Sequence, residues 1–141
     1  MADWLGLGVI AAILYGLHQV FTRLASDRID AGLGGFIVEA TAAISILAYL
    51  GYLRFMHQWP PQVTPAGVWW SVATGVCVGV GTLVFFIFFQ RGGPLSAVPV
   101  ILAVGAAIMA LIGVMAFREP VTRDRLLGIA LSVAGLYLLR R

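Results

Sequence analysis

The run VWWSVATGVCVGVGTLVFFIFF, residues 68–89, decides the class of this protein. It contains no charged residue from end to end. An α-helix needs about 20 mostly apolar residues to cross the hydrocarbon core of a bilayer, and this run is long enough. The stretch therefore predicts a transmembrane helix.

Four more apolar runs flank this stretch, and together they predict an all-α membrane protein. The runs cover residues 4–22, 34–53, 95–117 and 124–139, of which the last is the shortest. Hydrophobic residues make up 61% of the chain and charged residues 11%, against about 45–50% and about 25% in soluble domains. A soluble core of this size could not cover so much apolar surface. The prediction is one domain, residues 1–141, with five transmembrane helices.

Turn-forming residues mark the connections between these runs. Pro94 stands where it can begin helix 4, and Thr122 is suited to cap the start of helix 5. Pro99 has no backbone N–H, so it is expected to bend the first turns of helix 4 and to free the carbonyl of Leu95.

The basic residues indicate which partners to expect and how the chain could be oriented in the membrane. All nine are arginines, set against six acidic residues, for a net charge of +3. They sit between apolar runs and do not form a patch on one face, so nucleic acid is not an expected partner. Five crossings place them on two sides of the membrane: Arg54, Arg118, Arg123 and Arg125 on one, and Arg23, Arg28, Arg91, Arg140 and Arg141 on the other.

Four arginines against five is no clear excess, and the positive-inside rule needs one. Two interpretations therefore remain open. The chain either takes a single orientation set by other features or has dual topology, inserting both ways.

Helix 1 carries a polar stripe. At about 100° per residue, Leu17 and Phe21 fall on the opposite face, which is assigned to lipid. The polar residues of the stripe are Tyr15, His18, Gln19 and Thr22. They are candidates to line a substrate pathway, and the alternative is that they form hydrogen bonds between helices.

Helix 3 has a similar polar face. Helices 3 and 5 also carry glycines suited to helix packing. The candidate pathway residues of helix 3 are Ser71, Thr74 and Thr82. Glycines allow close helix approach in membranes, so helix packing or dimerisation is predicted for Gly75, Gly79, Gly128 and Gly135.

Two titratable residues inside the apolar runs are candidates for proton coupling. Glu39 is an acidic residue about five positions inside helix 2, and His18 carries an imidazole, a group that can take up and release a proton. For Glu39 the alternatives are a carboxylate that reaches the membrane interface and one that anchors a buried contact.

The chain is not expected to be an enzyme. It has no nucleophile motif, phosphate loop or pair of carboxylates. His57 and Cys77 lack the spacing of a metal site, and neither a metal nor a cofactor is predicted.

The order of several short motifs resembles one half of an EamA-type transporter of the drug/metabolite transporter superfamily. The resemblance covers nearly the whole chain and is carried by the following stretches: Tyr15-Gly16 with Arg23 downstream, PLSAVPV at 94–100, FREPVT at 117–122 and GIALSVAG at 128–135. The shorter small multidrug resistance proteins are also similar. Their first helix, however, has an acidic residue where this chain has Gly16 or His18.

Most EamA-type proteins carry two five-helix repeats, and this chain has one. The resemblance implies half of an inverted-repeat transporter, which dimerisation would complete around a central site. The expected partners are membrane lipid, a small metabolite or drug-like substrate, and a second copy in an antiparallel homodimer. A heterodimer with a paralogue and a non-transporting accessory subunit are the alternatives. The expected location is the inner (cytoplasmic) membrane of a bacterial cell, as a multi-pass protein.

Overall fold

The computed structural model describes residues 3–57, 62–118 and 122–139. Within these ranges the chain is helical and contains no strand. A 3₁₀ turn, Leu95–Ala97, precedes the fourth helix. The α-helices of the described residues are α1 (Asp3–Ser26), α2 (Ala31–Phe55), α3 (Pro65–Gln90), α4 (Val98–Met115) and α5 (Arg123–Leu139).

Among the described residues, four segments are long and apolar enough to span a membrane, so the chain is a multi-pass membrane protein. They are Trp4–Ser26, Ala31–Phe55, Pro65–Gln90 and Leu95–Met115. The remaining helix, α5, has 17 residues, the lower limit of the usual range of about 17–25 for a spanning helix. A fifth crossing stays a prediction.

Local backbone and side-chain contacts explain where α2 begins and where α3 ends. The carboxylate of Asp30 accepts hydrogen bonds from the amides of Gly32 (2.8 Å) and Leu33 (3.2 Å), which stabilises the start of α2 at Ala31. The helix thus begins three residues earlier than the predicted position 34. Gly92 has a φ of +84° and ends α3 in the left-handed conformation that favours glycine.

The fold corrects the prediction for Pro99. This proline occupies the first turn of α4, which begins at Val98. A missing N–H costs little there because first-turn amides have no helical partner. The predicted bend within helix 4 is therefore replaced by the 3₁₀ turn Leu95–Ala97 before α4. Thr122 stands directly before α5, at the predicted helix start.

The chain divides into two compact units, Met1–Gly92 and Gly93–Arg141. In the first unit, α3 packs against both α1 and α2, whereas α1 and α2 contact each other less. In the second unit, α4 packs against α5. The first unit holds most of the predicted site residues.

Candidate functional site

The first unit is closed at one end only. We define the closed end as residues 18–39 together with residues 82–92, where α1 and α3 finish and α2 begins. Its buried side chains are Gln19, Thr22, Ser26, Ala31, Thr82, Phe86 and Phe89. We define the open end as residues 4–17, 40–57 and 62–81, and none of these described residues is fully buried.

Close packing at the closed end depends on a glycine. A Cβ added to Gly34 would lie 2.6 Å from Cε1 of Phe86 and 3.0 Å from Cγ2 of Ile29. Phe86 is only 1% exposed, so its ring has little room to move. The start of α2 can approach the end of α3 because this position has no side chain.

Glu39 joins α2 to α3. The hydroxyl of Thr82 donates a hydrogen bond of 2.6 Å to Oε1 of Glu39, and the carboxylate is half-buried. Because α2 begins at Ala31, Glu39 is its ninth residue and lies deeper than the five positions predicted. Of the roles weighed from the sequence, an anchor in an interhelical contact has this direct geometric support.

A second polar group ties α3 to the turn between α1 and α2. The side-chain amide of Gln90 donates to the backbone carbonyls of Ser26 (3.2 Å) and Ile29 (2.9 Å). The guanidinium of Arg23 lies 5.9 Å from the ring centre of Phe89 and 2.6 Å from the carboxylate of Asp27. The two bonds from Gln90 satisfy carbonyls that the end of α1 and the following turn leave without helical partners.

The polar stripe of α1 divides between the two ends. Gln19 is 8% exposed and Thr22 is 2% exposed, whereas Tyr15 is 67% exposed. The hydroxyl of Thr22 donates to the carbonyl of His18 within the same helix, at 2.8 Å. The four predicted residues therefore do not line one continuous surface.

The predicted face of α3 divides in the same way. Thr82 is buried at the closed end, whereas Ser71 and Thr74 are exposed at the open end. The hydroxyl of Thr74 bonds to the carbonyl of Trp70 in its own helix, at 2.9 Å.

A cavity of about 430 Å³ lies between α1 and α2. Its lining includes His18 and Thr22 from the predicted stripe, and also Leu17 and Phe21, which sequence analysis assigned to lipid. Both side chains are exposed, so the assignment of this side of helix 1 to lipid stays a prediction. The complete lining is Leu14, Leu17, His18, Phe21, Thr22, Ala25, Ile37, Val38, Thr41 and Phe86. Ile37, Val38 and Phe86 carry no sequence signal that separates them from other apolar residues.

Two buried polar atoms of α1 have no hydrogen-bond partner among the described residues. They are Nδ1 of His18 and Oε1 of Gln19. Buried polar groups are nearly always paired, so these two atoms are exceptions within the unit.

The glycines predicted for packing have space around them. A Cβ added at Gly75, Gly79, Gly128 or Gly135 meets no heavy atom of the described chain within 4 Å. Gly75 and Gly79 therefore mark no tight contact between the described helices, in contrast to Gly34. Contact with a second chain stays a prediction.

The profile of the EamA-like transporter family matches residues 3–141. This chain belongs to the EamA-like transporter family. The resemblance inferred from the motifs is therefore confirmed, and the four spans agree with membership in a family of membrane transporters. No curated protein and no solved structure matches the chain.

Proposed function

We propose that this EamA-like protein moves a small metabolite or drug-like molecule across the inner membrane by alternating access, as an antiparallel homodimer. Each protomer would supply half of the pathway. The polar residues at the open ends of α1 and α3 would face the central space, and rocking of the two protomers would expose it to each side in turn.

The observation that carries this proposal is the uncovered polar surface of the open end. Tyr15 is 67% exposed, and Ser71 and Thr74 are exposed as well. Polar groups at membrane depth normally face a partner helix or a water-filled cavity. A second chain placed against this surface would cover these groups and enclose a pathway between the protomers.

The distribution of arginines supports the antiparallel arrangement. Arg140 and Arg141, two of the five on one side, lie outside the described residues. With α5 as a fifth crossing, the balance of four to five leaves no strong electrostatic preference for one orientation. Both orientations would then coexist in one membrane, as an antiparallel homodimer requires.

Reconstitution tests transport directly. Purified protein in liposomes should take up or release compounds from a panel of metabolites and drug-like molecules, with and without a pH gradient. Transport by the single chain supports the homodimer. Transport only with a co-purified second protein points to a heterodimer, and no transport with either points to an accessory subunit.

Reporter fusions at the C-terminus test dual topology. They should signal from both sides of the membrane, and two added lysines between α2 and α3 should shift nearly all copies to one orientation. A wild-type chain with a single orientation contradicts the antiparallel homodimer.

Proton coupling through Glu39 or His18 is part of this proposal. The amide of a Glu39→Gln variant keeps an oxygen that accepts the bond from Thr82 but cannot carry a proton. We expect this variant to lose pH-driven uptake and to keep substrate exchange. Normal pH-driven uptake by Glu39→Gln would exclude Glu39 and leave His18 as the site to test next.

A further inference from the structure

Two arginines from distant parts of the sequence lie at the same turn of the closed end. We propose that Arg28 and Arg91 together bind the phosphate of an anionic phospholipid headgroup. Both residues belong to the first unit, so the proposal requires neither transport nor a second protomer.

The side chain of Gln90 brings the two arginines to one turn. Its amide donates to the backbone carbonyls of Ser26 (3.2 Å) and Ile29 (2.9 Å). Arg28 lies between these two carbonyls in the sequence, and Arg91 directly follows Gln90. The end of α3 is thereby fixed against the turn between α1 and α2, so the two arginines lie on adjoining segments.

Both arginines stand at the depth of the lipid headgroups. Two of the apolar spans, Trp4–Ser26 and Pro65–Gln90, end at this turn, and a third, Ala31–Phe55, begins there. Arg28 and Arg91 therefore lie just beyond the hydrocarbon core, and both are exposed. The phosphates of a bilayer occupy the layer directly outside that core.

The acidic residues of this turn leave the charges of the two arginines available. The carboxylate of Asp27 pairs with Arg23 at 2.6 Å, and that of Asp30 accepts bonds from the amides at the start of α2. Among the described residues, no carboxylate forms an ion pair with Arg28 or Arg91. A guanidinium has five N–H donors in a planar fork that fits a phosphate, so two of them can hold one phosphate from two sides.

Exposed apolar side chains beside the arginines favour a lipid over a free anion. Leu24 and Ile87 precede Arg28 and Arg91 by four positions, on the membrane side of each, and both are exposed. The guanidinium of Arg28 bonds to the carbonyl of Leu24, which keeps it next to this surface. A phospholipid can place its phosphate at the arginines and an acyl chain along these side chains, whereas inorganic phosphate gains nothing from them.

Spin-labelled lipids test this inference in a bilayer. The full chain is reconstituted in phosphatidylcholine vesicles with a trace of spin-labelled phosphatidylglycerol or, as the neutral control, spin-labelled phosphatidylcholine. Electron paramagnetic resonance then measures how strongly each lipid is held at the protein surface. We expect phosphatidylglycerol to be held about fivefold more strongly, since each arginine near an anionic headgroup is worth about that factor and the measurement averages this site with the rest of the surface.

A salt exchange distinguishes the lipid headgroup from a soluble anion. Sodium chloride is replaced by sodium phosphate at equal ionic strength, so that screening of the arginines is the same in both buffers. The preference for phosphatidylglycerol should not change.

Variants assign the preference to the two arginines. Arg28→Gln and Arg91→Gln should each remove most of it, because the phosphate needs both partners, and the double variant should add little. Arg54→Gln is the matched control: it removes the same charge from an exposed position at the other end of α2 and should change the preference much less. Gln90→Ala keeps every charge but releases Arg91 from the turn, and it should lower the preference as well. Thermal unfolding confirms that each variant is folded.

Four results would overturn the inference: no preference for phosphatidylglycerol, an equal loss in Arg54→Gln, an unchanged preference in Gln90→Ala, or displacement of the lipid by phosphate at matched ionic strength. An equal loss in Arg54→Gln would mean that only the total charge of the chain attracts anionic lipid. Displacement by phosphate would mean a site for a soluble anion. Transport is not measured in any of these experiments, so each of these results leaves the proposed function intact.

Discussion

The two ends of the first unit are built from the same three helices but hold together differently. At the closed end, Gly34 lets α2 approach α3, and Thr82 and Gln90 form hydrogen bonds to neighbouring segments. At the open end, Gly75 has open space around it and Thr74 bonds only within its own helix. Small and polar residues occur at both ends, but among the described residues only those of the closed end make contacts from one helix to another segment.

This difference shows that two glycines four residues apart, a GxxxG spacing, do not by themselves identify the helix that packs against them. Gly75 and Gly79 have the spacing that promotes close helix packing, yet no described residue packs against them. The single Gly34 beside Phe86 makes the tight contact instead.

The largest effect is expected from filling the tight contact of the closed end. Gly34→Val should cost about 3 kcal/mol of unfolding free energy, the upper end of the range of about 1–3 kcal/mol that is typical of overpacking, because the enclosed ring of Phe86 has little room to move. Unfolding in mixed micelles measures this loss of free energy. Gly75→Val is the matched control and should leave the unfolding free energy of the protomer nearly unchanged. Equal losses in the two variants would contradict the contrast between the ends.

The bond between α2 and α3 should give the next largest effect. Thr82→Val removes the donor to Glu39 and should destabilise the protein by about 1–3 kcal/mol, because a part-buried carboxylate loses its partner. Thr74→Val, which removes only a bond within α3, should change stability by less than about 0.5 kcal/mol. Unfolding curves of both variants measure the two changes in stability. A silent Thr82→Val would mean that water replaces the lost bond.

A smaller effect is expected at the turn between α1 and α2. Gln90→Ala loses two bonds from an exposed side chain and should cost about 0.5–1.5 kcal/mol. Hydrogen exchange should rise first at the amides of residues 27–30. Uniformly raised exchange along α1 would show that this end opens as a whole.

Single cysteines in a Cys77→Ala background should change stability least. They should differ clearly in how accessible they are to a water-soluble reagent. A cysteine at Tyr15 should react with a water-soluble thiol reagent and be protected by substrate, whereas one at Thr22 should stay unreactive because that position is buried. A cysteine at His18 should react more slowly than one at Tyr15, since His18 is half-buried. Reaction at Thr22 as fast as at Tyr15 would show that the closed end is not closed in the membrane.

The helices themselves follow from local sequence. The apolar runs and the glycine at 92 place most spans close to where the sequence predicts them. Errors occurred where a cap lay outside the apolar run, as at the start of α2. Pro99 was misread because the true start of α4 depends on the 3₁₀ turn before it.

The sequence by itself determined the membrane class, the family and the polar faces of α1 and α3. These properties depend on length, hydrophobicity, motif order and the period of a single helix, and no contact between helices enters them. Tertiary structure alone decided that Gln19 and Thr22 are buried, that Glu39 bonds to Thr82 and that Leu17 and Phe21 line a cavity with His18. The periodicity of one helix gives the direction of a side chain but not its neighbour, and the neighbour depends on how closely three helices approach at each depth.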